Sequence, residues 1–378
     1  MGGGFLPLEV VDGRTLTYER FLRDFALPRI PCLIDNVGQE WKALDWTIQY
    51  FLSHDGVDKD FRAECAEGPP DAYREVTTTV GEALARIARG ADETGTPFYL
   101  SAWPYIRGNS EALKQDFEVP TYFERAPPWL NEHPVLGNAA IDMKWLYIGS
   151  ENTGSETHID TNLTSAWLWV AKGKKEWVCA HGGDYDLLTE GTGSRAYGYK
   201  DSDSDSEESR PLPDFFHPEV FERFPHCRNA RLYHGFQTPG MVCFNPSRCV
   251  HAVRNVEDSI SLTHNFVDAT NFADVIEDAK RSIRDEILPM ARHFKRKSMV
   301  KMLAKTLRIK REEVTAMIDD LPLLCTKGRV REILDFASRG DPAISALLGA
   351  ELEGSLAQVA PDFAEAAESL KQILCPPS

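Results

Sequence analysis

The sequence predicts a mainly β protein with helical flanks: a β-barrel or jelly roll in the middle and a helical segment at the end. Three observations predict it. Between Lys144 and Phe272, short runs rich in Thr, Trp, Leu and Val recur between Gly/Pro turns, which is the rhythm of short strands in a barrel or jelly roll. From Asp274 onward the apolar residues change to helical spacing. Within the β region, a Gly/Ser/Asn loop delivers His158-Ile-Asp160. Residues two apart on a strand point to one face, so an imidazole and a carboxylate would project into one cavity. One more imidazole from another strand would complete two His and one carboxylate, the triad of non-haem Fe(II) oxygenases.

Composition narrows the function classes. A chain of 378 residues, 42% hydrophobic and 10% aromatic, is globular and can bury a large core. A net charge of -16 disfavours nucleic acid, because phosphate binding wants a basic face; it permits basic protein substrates. Part of the excess sits in one run, Asp201 to Glu208. The eight cysteines are scattered without a Cys-x-x-Cys, which argues against a zinc finger or thioredoxin site. They read as reduced thiols of an intracellular protein, cytoplasmic or nuclear. The N-terminus lacks a secretory pattern, and Phe5 and Leu6 are a poor match to an acylation signal after Gly2. No run approaches the ~18–20 apolar residues of a membrane span.

Residues 1–143 read as a mixed α/β region packing on the barrel. Tyr18, Phe21, Leu22 and Phe25 have helical spacing, with Pro28 as the stop. Ile30 to Ile34 is a short strand. Asp45 is a candidate N-cap before Trp46. Val80 to Ala88 is an amphipathic helix, and Phe98 to Trp103 a strand by aromatic content. Trp103 and Tyr105 either belong to a wall of core aromatics or line the mouth of a site.

Residues 144–272 form the core. Trp145 to Ile148 is a strand, Thr161 to Ala171 a buried strand, and Lys172-Gly173-Lys174 a turn. Lys175 to Ala180 is the next strand. A lysine inside such a strand is costly unless paired, and a dicarboxylate cosubstrate would pair it; on spacing alone, a surface lysine beside a turn is the plainer reading. An insertion at about 191–215 carries the acidic run and reads as a solvated loop. Thr238 to Phe244 is a turn and strand, and a second turn at Asn245-Pro-Ser-Arg brings His251. Ile260 to Phe266 alternates as a strand, with Thr263 and Asn265 on one face and His264 on the other.

Residues 273–378 are helical. Arg339-Gly340 marks a stop, Asp341-Pro342 opens a helix, and Pro361 to Leu374 forms a last, separate one.

Several of these patches together resemble the JmjC (cupin-like) family of 2-oxoglutarate oxygenases. They are Trp145-Leu-Tyr-Ile-Gly149, Gly154 to Asp160, Thr164-Ser-Ala-Trp167, Gly173 to Trp177, Gln237 to Gly240, His251 to Asn255, and Thr263-x-Asn-Phe266. The similarity is greatest to the small JmjC hydroxylase group. The resemblance implies a double-stranded β-helix with His158, Asp160 and His251 as Fe(II) ligands. It implies 2-oxoglutarate as cosubstrate and dioxygen as oxidant, with Lys175 pairing the C5 carboxylate, Thr263 bonding it, and Tyr105 as a further contact. Two departures mark this chain. Leu168 stands where the family often has an amide near the cosubstrate, and Arg248-Cys249-Val250 replaces the usual Gly-Trp-Trp before the second histidine. The implied activity is hydroxylation of a protein side chain, lysine first. The alternatives are N-methyl-lysine demethylation, hydroxylation of a small molecule or tRNA base, or a non-catalytic cupin-type binding protein. In relatives, helical C-terminal segments pack on the barrel or make a homodimer interface, and one of these is expected here.

Overall fold

The stretches that read as strands between Lys144 and Phe266 are strands, because their alternating side chains find two apolar faces to fill. The structure, a computed structural model, describes residues 4–70, 72–106, 110–136, 143–190 and 212–375. Gly2, the acidic run and most of the 191–215 insertion lie outside the described residues. The described residues of Met1–Pro120, Lys144–Thr161 and Ser165–Asn265 form one compact unit; those of Thr121–Met143, Asn162–Thr164 and Phe266–Ser378 form another.

The first unit is built on β1 (Phe5–Pro7), β2 (Glu9–Asp12), β3 (Cys32–Asp35), β4 (Arg62–Glu67), β5 (Arg74–Thr79), β6 (Phe98–Trp103) and β7 (Lys144–Gly149). It continues with β8 (Gly154–His158), β9 (Ser165–Lys172), β10 (Lys175–Ala180), β11 (Leu232–Gln237), β12 (Val242–Asn245), β13 (His251–Asn255) and β14 (Ser259–Phe266). One sheet runs β1-β11-β10-β13-β8 and the other β2-β3-β12-β9-β14-β7-β6-β4-β5. Strands before residue 143 therefore extend both sheets of the core. Leu168, Val170 and Cys243 of one sheet meet Trp177, Cys179 and Val253 of the other in a shared buried cluster, as in a jelly roll. Trp169 faces the other way. It packs on Trp41 at 4.9 Å between ring centroids and donates to the Val37 carbonyl. Each such buried aromatic removes roughly 150–250 Å² from water, so the indoles anchor both layers.

Some element ends differ from expectation. The helix predicted to begin at Asp45 begins at Ile48, capped by Thr47, whose hydroxyl accepts from Tyr50 N. Trp46 is instead drawn into the core, where its Nε1 donates to Asp116. The strand after Asp160 starts only at Ser165, because Asn162 and Leu163 take left-handed φ values of 57° and 53°. Trp103 and Tyr105 are core residues, 0% and 1% exposed.

In the second unit, Pro342–Leu374 is one continuous helix through Pro361, where two helices were expected. The helix opens at Asp341-Pro342 as expected, and Asp341 caps it, accepting from Ala343 N and Ile344 N. Proline removes one backbone bond, but Leu348, Leu352 and Leu356 before it and Phe363, Ala367 and Leu370 after it are all buried. That continued apolar face holds the helix together past the missing bond.

β8 lies against β13 with no room for a side chain at its start. A Cβ on Gly154 would fall 2.1 Å from the Val253 carbonyl oxygen. Gly154→Ala is expected to push the two strands apart and cost about 1–3 kcal/mol, with weaker metal binding as a second effect. Urea unfolding and a metal titration of the variant would check both.

Candidate metal centre and cosubstrate pocket

His158 ends β8 and His251 begins β13, and the antiparallel register sets them directly opposite. Their rings lie 4.3 Å apart between centroids. Asp160 follows two residues after His158. One ligand atom from each of the three lies within 4.8 Å of the other two. The resemblance named all three residues, and strand pairing brings the third beside the pair.

Each ring is held by a carbonyl two residues before it. His158 Nδ1 lies 2.7 Å from the Glu156 oxygen and His251 Nδ1 2.9 Å from the Cys249 oxygen. A carbonyl only accepts, so each Nδ1 carries the hydrogen. That leaves Nε2 with its lone pair free to bind a metal, the usual orientation of metal-binding imidazoles. Two imidazole nitrogens and one carboxylate suit a divalent metal such as Fe(II) and leave coordination positions open.

Burial, and after it the neighbouring His251, push the His158 ring down to about 4. For His251 burial is the largest influence and acts downward. The Cys249 thiol and the Asp160 carboxylate outweigh it, and the ring is raised to about 9. In the metal-free centre His251, beside Asp160, is thus the ring that favours a proton. A metal must displace that proton. Metal affinity is expected to rise with pH, by roughly tenfold per unit from about pH 6 towards 9, in calorimetric titrations with Mn(II). A pH-independent affinity would contradict this arrangement.

Lys175 opens β10 and is 0% exposed, so the surface reading of this lysine does not hold. Residues Lys175, Trp177 and Cys179 share one face of β10, and their partners on β13 are Asn255, Val253 and His251. The lysine and the metal-site histidine thus point into the same interior. Lys175 Nζ donates to Asn255 Oδ1 at 2.8 Å and sits 5.9 Å from the centre of the Tyr99 ring. Among the described residues no carboxylate lies within ion-pair distance of it. Burial alone pushes it down to about 7.

Thr263 lies on β14 opposite Trp145, and Ser261 opposite Tyr147. Alternation puts Ser259, Ser261 and Thr263 on one face, together with Tyr147. Tyr147 feels the charge of Asp160 and stacks on Tyr99 at 5.9 Å. Thr263 is therefore on the side of the site, although its hydroxyl donates to the Trp167 carbonyl at 2.8 Å and would have to turn to meet a ligand.

Tyr105 is not brought to the site. Its hydroxyl pairs with His264 Nε2 at 3.1 Å, and His264 points to the opposite face of β14, against Trp167 and Phe117. The register of β6 shifts between Leu100 and Trp103, where Ala102 takes a φ of 54°. That bulge turns the following chain away from the pocket. The tyrosine at the pocket is Tyr99, on the regular part of β6 and hydrogen-bonded to Ser155. In the sequence Tyr99 stood out as one aromatic of the Phe98-Tyr99-Leu100 run and of the Tyr99-Leu-x-x-Trp103 stretch, without a role of its own. Asn255 was likewise quoted only as the end of a motif. Of the two departures, Leu168 is part of the apolar interior. Cys249 directs its thiol to the Ala180 carbonyl at 3.1 Å, and burial keeps it a thiol.

Comparison with known proteins matches residues 18–272, well over half of the chain, to the cupin-like domain. The chain belongs to the cupin-like family. Among curated relatives of this cupin-like chain, "Arginine-specific demethylase JMJ22" of Arabidopsis thaliana is 28% identical, over 73% of this chain and 49% of the relative. "Bifunctional arginine demethylase and lysyl-hydroxylase psr-1" of Caenorhabditis elegans is 28% identical, over 70% and 62%. "2-oxoglutarate and iron-dependent oxygenase JMJD4" of Mus musculus is 25% identical, over 71% and 64%. The cupin-like chain thus spans about half to two thirds of the length of these relatives.

Proposed function

We propose that the protein is an Fe(II)- and 2-oxoglutarate-dependent oxygenase that hydroxylates a protein side chain, lysine first. The observation that carries this is the fully buried Lys175, which has no carboxylate partner among the described residues and shares the barrel interior with a two-His, one-carboxylate centre. A buried cation without a counter-ion is costly, and a dicarboxylate chelated at the metal would supply one. The mouse relative's name, a 2-oxoglutarate and iron-dependent oxygenase, supports the same reading.

In this reading His158, Asp160 and His251 hold Fe(II), while Lys175 pairs the distal carboxylate of 2-oxoglutarate. Thr263 and Tyr99 close the pocket around that carboxylate. Leu168, Val170, Trp177 and Val253 wall the interior with apolar surface and keep water out. Bound iron and cosubstrate would supply the oxidation with dioxygen, releasing succinate and CO₂; the chain's part is to hold, orient and exclude water. His158 and Asp160 are half-buried, so the centre opens on their side. Glu156, exposed on the same strand, and the net charge of -16 favour a cationic side chain as substrate.

Removal of an N-methyl group is the second reading, because two of the relatives carry arginine demethylase in their names. It is the same oxidation placed on an N-methyl carbon. Succinate release in the presence of Fe(II) and 2-oxoglutarate tests the oxygenase class. Mass spectrometry of candidate peptides then separates a gain of one oxygen from a loss of a methyl group. A protein that binds both yet never turns over with any peptide would favour the non-catalytic binding alternative.

The proposal extends to setting and assembly. Among the described residues no helix is long and apolar enough to cross a membrane. The cysteines are free thiols, which supports a reducing compartment, cytoplasmic or nuclear. The second unit exposes Phe294, Leu323 and Phe336, which supports a homodimer through the C-terminal helices.

A further inference from the structure

Asn255 ends β13, the strand that begins with His251, and faces Lys175 directly in the cross-strand register. Its amide is fully engaged in a buried network. Oδ1 accepts from Lys175 Nζ at 2.8 Å and from Ser259 Oγ at 2.7 Å. Nδ2 donates to Thr153 Oγ1 at 2.9 Å and to the Ser150 carbonyl at 3.5 Å. The Thr153 hydroxyl donates to the same Ser150 carbonyl at 2.6 Å, so its oxygen faces Asn255 as an acceptor. These partners permit only one orientation of the amide. Turned over, its NH₂ would meet the Lys175 ammonium, donor against donor, and its oxygen would meet the Ser150 carbonyl.

The backbone makes the same connection. Asn255 N donates to the Thr153 carbonyl at 2.7 Å, and Asn152 N donates to the Asn255 carbonyl at 2.9 Å. The turn from Ser150 to Thr153, which leads into the His158 strand, is thereby stapled to the end of the His251 strand. Gly149 allows this closeness: a Cβ there would lie 2.7 Å from Thr153 Oγ1, 3.0 Å from Asn255 Nδ2 and 2.3 Å from the Tyr99 ring.

We infer that Asn255 is a positioning residue for cosubstrate selection: it holds the Lys175 ammonium in place with a neutral oxygen, leaving the positive charge uncompensated for the distal carboxylate of a 2-oxo diacid. The choice of a neutral amide is the point. An aspartate of the same shape would satisfy Lys175 internally, as a buried ion pair, and the incoming carboxylate would meet a neutralised cation beside a fixed anion. An aliphatic residue would leave the lysine free to swing and would strand the polar groups around it. With the amide in place, the interior accepts a ligand that brings its own negative charge to the β10 end of the site, and a 2-oxo monoacid cannot make that contact. This rests on the oxygenase reading above.

The test uses the full chain loaded with Mn(II), calorimetric titration with 2-oxoglutarate and with 2-oxobutyrate, and the thermal midpoint of each variant. Both acids present the same metal-chelating end, and only the first has a distal carboxylate. Asn255→Asp is expected to fold with a midpoint no lower than that of Asn255→Ala, lose at least about tenfold in 2-oxoglutarate affinity, the scale of a hydrogen bond to a charged group, and keep its 2-oxobutyrate affinity within about twofold. Asn255→Ala is expected to lose the same preference with a lowered midpoint, and Asn255→Gln to recover part of it. If Asn255→Asp binds 2-oxoglutarate as the unsubstituted protein does, or if both acids weaken alike, Asn255 plays no selective part and the inference is overturned. If the unsubstituted Mn(II) protein binds neither acid, the oxygenase reading itself fails, and the inference with it.

Discussion

Asp160→Ala is expected to abolish tight metal binding and, with it, the proposed turnover, while the fold survives. Asp160 supplies the one negative charge of the centre, and its carboxylate lies within 4.8 Å of the two histidine ligand atoms. Even groups that merely orient a ligand cost about 10–100-fold in metal affinity when removed; loss of the ligand itself is expected to exceed about 100-fold. The side chain is half-buried and outside the apolar cluster between the sheets, so unfolding midpoints should move by less than about 1 kcal/mol. The variant also removes the carboxylate that favours the protonated His251 ring, so the remaining pair should bind metal with a weaker pH dependence. The measurements are Mn(II) calorimetry, succinate release and a urea titration. Metal affinity within tenfold of the unsubstituted protein would remove Asp160 from the centre.

Lys175→Met separates stability from function. The lysine is fully buried, and burial lowers it from 10.5 to about 7. Between these values the unfolded chain holds the proton and the folded chain does not. Stability contributed by this residue therefore rises with pH across that window and is lowest below about pH 7, where the buried group is charged. Methionine fills a similar volume without the charge. Asn255 Oδ1 keeps its bond from Ser259, so no acceptor is stranded. At pH 7 or below the variant is expected to gain on the order of a few kcal/mol and to lose the rise of stability with pH. The same change deletes the cation proposed to pair the distal carboxylate. 2-Oxoglutarate affinity should fall by roughly 100-fold, while metal affinity stays as it was. A variant less stable than the parent, or one that still binds 2-oxoglutarate tightly, would show that the cation is compensated within the protein.

The legible part of the site was the part carried by short spacing. His158 and Asp160 are two residues apart, so their common face follows from strand geometry without any fold. Thr263 and His264 fell on opposite faces of β14 for the same reason, and that alternation also places Thr263 towards Tyr147 and the metal side. Tyr105 was expected as a further contact from the resemblance alone, and its hydroxyl instead pairs with His264. The bulge at Ala102 redirects the chain, and no local pattern announces it. Asp45 failed as a cap because Trp46 had a stronger claim elsewhere: its indole is buried and bonded to Asp116, which pulled the helix start to Thr47. Pro361 failed as a boundary because the buried face on either side of it outweighs one lost backbone bond.

Taken alone, the sequence determined the alternation of apolar and polar residues. From this follow the strands of a jelly roll, the helical tail, and the pairing of an imidazole with a carboxylate at His158 and Asp160. Only the tertiary structure decided that His251 lies opposite His158, that Lys175 is buried without a counter-ion among the described residues, and that Tyr99 lies beside Lys175 while Tyr105 pairs with His264. The division has a physical cause. Periodicity acts over a few residues and is written in the order of the chain. Burial, charge compensation and register depend on which distant strands pair, and that is settled by the packing of two whole sheets against each other.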